Sequence, residues 1–134
     1  MSVVIGYLGS GFSIIGADTR CFQYEPDGTC TVENTAEKVN LFRYGWLSSG
    51  GSHNVAVGFC KYVDSRELKC HDELFKCFLD SIEDQRDNIA KYKSEKIEHM
   101  FLSSLVMYSM AYYQKGIPCL EIEAINITHR RRII

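Results

Sequence analysis

The sequence predicts an α+β fold in which sheets are covered by helices. Two observations lead there. Short apolar runs punctuated by glycine turns fill residues 2–50 and return near residues 105–127. Between them, apolar residues recur at helical spacing. The order is therefore strands, then helices, then strands, which argues for sheet layers with helical cover.

Each element has its own signal. Residues 2–7 and 12–17 are two apolar strands around the Gly9-Ser10-Gly11 turn. They are apolar on both faces, as expected of strands covered on both sides. Pro26-Asp27-Gly28 predicts a turn, with a short strand near Thr29–Val32. Val39–Phe42 and Trp46–Ser49 form a second hairpin through Tyr44-Gly45. Val55, Val57, Phe59 and Cys60 suggest a short buried helix. Asp64 or Ser65 caps the next helix, with Glu67 in its first turn, running to about Lys93. Residues 97–104 are ambiguous. Leu105–Tyr113 and Cys119–Ile127 are strands joined by Lys115-Gly116-Ile117-Pro118, and Glu121, Glu123 and Asn126 suggest a wet face.

Composition narrows the function. The chain has 134 residues, a net charge of −2 and 46% hydrophobic residues, enough for one domain with a real core. The near-neutral balance argues against a nucleic-acid or membrane-surface binder. No run is long enough to span a bilayer, and the N-terminal segment lacks a charged signal-peptide region. A cytoplasmic protein is the expectation. The six cysteines are scattered without a CxxC pair, so free thiols, several buried, are expected. The Asn126-Ile127-Thr128 sequon has meaning only in a secreted chain.

Three features carry chemistry. Ser2 opens the first strand, Asp18 ends the second, and Lys38 begins a later one just ahead of Ser48-Ser49-Gly50-Gly51. If Met1 is removed, as expected before a small residue, Ser2 offers a hydroxyl and a free α-amine on one residue. That pairs a nucleophile with its own base.

These segments resemble proteasome β-subunits and their bacterial relative HslV, within the N-terminal nucleophile (Ntn) hydrolases. The matching stretches are Ser2-Val3-Val4-Ile5-Gly6, Gly16-Ala17-Asp18-Thr19-Arg20, Glu37-Lys38-Val39 and Ser48-Ser49-Gly50-Gly51. The match is strongest over residues 2–62. The resemblance implies an αββα sandwich of two stacked antiparallel sheets with helical layers. It implies a single domain over residues 1–134, C-terminally shortened, because no counterpart of the family's supporting Asp-x-x-Ser group follows. It further implies amide-bond hydrolysis of a peptide or protein substrate, with Ser2 as nucleophile, Lys38 as electrostatic tuner and Asp18 as its anchor. The oxyanion-hole glycine falls on Gly50 or Gly51. No metal or organic cofactor is implied. A homo-oligomer is expected, with an ATPase partner by resemblance alone.

Plainer readings stand beside these. Ser2 is an ordinary second residue, Asp18 pairs with Arg20, and Lys38 pairs with Glu37 or Glu33. Gly50-Gly51 is a strand-to-helix turn. A catalytically inactive structural or assembly subunit of the same fold is the alternative function. Cys70-His71 with Cys77 matches no zinc spacing. His53 caps a helix or lines a pocket, and Tyr108, Tyr112 and Tyr113 are core or interface aromatics. Arg130-Arg131-Arg132 reads as a solvated, frayed tail.

Overall fold

A computed structural model describes residues 2–70, 72–127 and 130–133. Met1, His71, Thr128, His129 and Ile134 lie outside the described residues, and with them Met1 removal, the His71 ligand idea and the sequon's Thr128.

Nine strands and three helices run in the order β1 (Val4–Leu8), β2 (Ser13–Ala17), β3 (Cys21–Tyr24), β4 (Cys30–Glu33), β5 (Val39–Phe42), β6 (Gly45–Gly50), α1 (His53–Ser65), α2 (Asp72–Ala90), α3 (Glu95–Leu102), β7 (Leu105–Gln114), β8 (Ile117–Asn126) and β9 (Arg130–Ile133) among the described residues. A five-stranded antiparallel sheet has the order β5-β6-β7-β8-β9. The hairpins β1-β2 and β3-β4 are separate two-stranded sheets. The α+β class holds, with antiparallel sheets throughout.

The register of the large sheet separates its two faces. Leu47 stands opposite Tyr108, and Val106 opposite Ile125; these side chains meet the helices. Phe59 of α1 stacks on Tyr108 at 5.9 Å, and Phe42 meets the same ring edge-on at 5.6 Å. Burying one such ring contributes about 2–3 kcal/mol. On the other face, Met107 and Ile122 receive the β1-β2 hairpin at Gly6, where an added Cβ would come within 2.8 Å of Met107 Sδ. Gly6 lets the hairpin lie close to these side chains, which would have to shift to admit a Cβ. The layers among the described residues are thus helices, sheet and hairpin. A second helical layer over the hairpin is absent among them.

Several expectations are corrected. β1 and β2 are covered on one side only: Ile5, Tyr7 and Ile14 face outward and are exposed. No long helix spans residues 65–93. Instead α1 ends at Ser65, Arg66 is extended, and α2 packs back on α1. Arg66 anchors this reversal, reaching Asp80 at 2.7 Å and lying 4.4 Å from the Tyr62 ring. The boundary expected at Asp64 or Ser65 is present, but as the end of α1; the next helix starts at Asp72 and ends at Ala90. Ser94 caps α3, its Oγ accepting from the Ile97 amide at 3.4 Å, which settles residues 95–102 as helical. β3 is a strand with no clear sequence signal. Glu121 and Glu123 are buried, because their side of β8 faces the helices; Glu123 Oε1 accepts the Tyr108 hydroxyl at 2.8 Å. Residues 130–133 are not a frayed tail but an edge strand on β8. Cys77 is the only fully buried cysteine; Cys30 and Cys70 are exposed. No helix among the described residues is long and apolar enough to cross a membrane.

Candidate active site

The candidate site forms where the β1-β2 ladder gains one more rung. The Val3 amide donates to Asp18 Oδ1 at 2.9 Å, and the Asp18 amide donates to the Val3 carbonyl at 3.1 Å. Both main-chain groups of Val3 are therefore tied to the residue that follows β2. This clamp fixes the chain at Ser2, one residue away.

A second closure brings Lys38 to the same place. The Thr19 hydroxyl donates to the Asn34 carbonyl at 2.7 Å, and the Ala36 amide to the Thr19 carbonyl at 2.8 Å. These bonds shut the base of the β3-β4 hairpin, so the chain entering β5 runs past Asp18. The Lys38 ammonium lies 3.1 Å from each Asp18 oxygen and also donates to the Arg20 carbonyl. The Arg20 amide reaches Asp18 Oδ2 at 3.3 Å. The Lys38 side chain is 9% exposed and that of Asp18 29%. A lysine so enclosed needs a paired carboxylate. Asp18's carboxyl is held below the ordinary range, first by the Val3 amide and then by Lys38.

Three acceptors surround the three protons of the ammonium, two Asp18 oxygens and the Arg20 carbonyl. A hydrogen bond from Lys38 to the Ser2 hydroxyl would need one of them released. In the observed arrangement Lys38 is linked to the chain beside Ser2 through Asp18, which it pairs with and which accepts the Val3 amide.

The two glycines differ. A Cβ built on Gly50 would stand 3.7 Å from Ser2 Cβ, so Gly50 flanks Ser2 directly. Gly51 has φ +81°, and a Cβ there would come within 2.8 Å of Ser104 Cα. Gly51 is thus required by the turn into α1 and by the approach of the α3–β7 connection. The Ser52 amide donates to Ser104 Oγ at 3.0 Å, holding that turn in place. The structure brings Ser2, Asp18, Lys38 and Gly50 together and leaves Gly51 facing Ser104.

Sequence reasoning missed the Val3 amide, the Arg20 carbonyl and Ser104. None has a local signature, since each acts through a partner at least 15 residues away. Ser48, in the Ser48-Ser49-Gly50-Gly51 stretch, is buried, and its Oγ has no hydrogen-bond partner among the described residues. His53 is exposed at the first turn of α1. Among the described residues no group of three or more His, Cys, Asp or Glu side chains is arranged to hold a metal. No family model, curated protein or solved structure matches this chain.

Proposed function

We propose that the chain is an N-terminal nucleophile amide hydrolase of the proteasome β-subunit and HslV type, with Ser2 as nucleophile once Met1 is removed. One observation carries the reading. An enclosed Lys38–Asp18 ion pair is bonded to the residue beside Ser2, while Gly50 flanks Ser2 from another strand. The Ntn sandwich itself belongs to this proposal, supported by a hairpin stacked on an antiparallel sheet with helices behind it.

The chemistry follows from those groups. A free α-amine has an unperturbed pKa of about 7.7–8.0, so a substantial fraction is neutral near pH 7.5. It accepts the Ser2 hydroxyl proton as Oγ attacks an amide carbonyl. The positive charge of Lys38 favours the developing alkoxide and disfavours a protonated amine. Backbone N–H groups at Gly50-Gly51 are the candidate oxyanion donors, one such donor being worth about 3 kcal/mol of barrier. The amine then protonates the leaving nitrogen, and water hydrolyses the Ser2 ester.

The test has two steps. Intact mass should show loss of one methionine. A panel of short peptide amides should then show turnover that falls about a thousandfold or more in Ser2→Ala. Turnover surviving that substitution rejects the mechanism.

A second reading, a catalytically inactive structural or assembly subunit, is favoured by the engagement of all three Lys38 protons. Under it Lys38 only pins the Val3–Asp18 clamp. Retained Met1, no turnover, and a Lys38→Met variant that merely melts earlier would establish it.

A further inference from the structure

The outward side of the β1-β2 hairpin is a continuous apolar surface. Ile5 is 64% exposed, Tyr7 58% and Ile14 57%, with Val3 at 51% and Phe12 at 49% beside them. Tyr7 stands opposite Ile14 in register, and its ring lies 5.8 Å from Phe12. Ile5 stands opposite Gly16, where an added Cβ would meet nothing within 4 Å, so a projecting side chain lies beside a position with no side chain and open space above it.

We infer that this face is the contact surface of a homodimer, in which two copies stack their β1-β2 hairpins outer face to outer face. Area supports a second copy. Five side chains at these exposures offer on the order of 500 Å² of apolar surface, so pairing removes about 1,000 Å², the lower bound of a specific interface. A patch of about 500 Å² is at the upper end of the largest apolar patches on monomeric proteins, which are often functional. Charge supports it too. Residues 2–17 carry no ionisable side chain except Tyr7, and the first acidic or basic residue is Asp18. Two identical faces therefore meet without like-charge repulsion, as a two-fold interface requires. Ile5 of one copy can pack over the side-chain-free Gly16 of the other, and aligned stacking of twisted sheets allows both contacts at once. The inference does not depend on chemistry at Ser2.

Sedimentation equilibrium of the whole chain tests it. The expected result is a dimer with a dissociation constant near 1 μM. Ile5→Lys/Ile14→Lys should weaken it at least tenfold with an unchanged far-ultraviolet circular dichroism spectrum. Leu41→Lys, at an exposed site on β5, should leave it intact. Should the lysine variant unfold, Ile5→Thr/Ile14→Thr keeps β-branching and must weaken the dimer in the same direction. A wild-type monomer at about 100 μM overturns the inference, whatever else covers the face. So does a dimer that both double variants preserve, or one that Leu41→Lys disrupts equally.

Discussion

Asp18 holds Val3 and Lys38 with one carboxylate, taking the Val3 amide at 2.9 Å and the Lys38 ammonium at 3.1 Å. Its carboxyl titrates below the ordinary range in the folded chain, chiefly because of the Val3 amide. A depressed folded value means that the unfolded chain binds the proton first as pH falls. The stabilisation is complete well above the unfolded value of about 3.9 and is lost as pH drops through the folded one. Urea midpoints measured between pH 6 and pH 2 should fall below about pH 4. Asp18→Asn should start lower at pH 6 and lose this component of the slope.

The two site glycines should separate fold from chemistry. Gly51→Ala forces a side chain into a left-handed conformation and against Ser104 Cα at 2.8 Å. A cost of about 2–4 kcal/mol is expected in denaturant melts. Gly50→Ala meets only an ordinary 3.7 Å contact, with Ser2. Its stability should change by less than about 1 kcal/mol. Any effect on peptide turnover would then arise at Ser2.

Where α1 crosses α2, Gly58 touches Ser81. Ser81 Oγ is buried and donates to the Val55 carbonyl at 2.7 Å, and a Cβ on Gly58 would come within 2.3 Å of that oxygen. Alanine is the better helix former by about 1 kcal/mol. Here Gly58→Ala should nonetheless destabilise by about 1–3 kcal/mol through overpacking. A double-mutant cycle with Ser81→Gly should recover part of the loss, because the obstructing side chain is gone.

The thiols should differ in reactivity. Burial, aided by the Asp64 charge, pushes the Cys60 thiol up to about 11. Burial also raises Cys77, partly offset by Arg66. Alkylation of the native chain at pH 8, followed by peptide mass spectrometry, should label exposed Cys30 and Cys70 first. Cys60 and Cys77 should react at full rate only after unfolding.

Much of this was legible in the sequence because the signals are local. Glycine turns, apolar runs and Pro26-Asp27-Gly28 mark where the chain reverses, and the strands around the glycine turns follow from the short apolar runs between them. The order strands–helices–strands yields the α+β class, and Asp18 and Lys38 stand out as charges at strand ends. Locality also explains the failures. An amphipathic stripe and a candidate cap at Asp64 or Ser65 mark a boundary between two helices but not the non-helical stretch that follows it, so the second helix begins at Asp72 rather than at residue 65. Alternation at Glu121 and Glu123 shows two faces but not which one the helices cover.

What the sequence by itself determined is the alphabet of elements and the candidates Ser2, Asp18, Lys38 and the glycine pair. Only the tertiary structure decided that Lys38 meets Asp18 across 20 residues, that Gly50 flanks Ser2 while Gly51 serves the turn, and that the β1-β2 hairpin bares one apolar face. The physical reason is that intrinsic propensity and turn chemistry act over a few residues, whereas pairing of charges and covering of faces depend on which distant segments packing brings together.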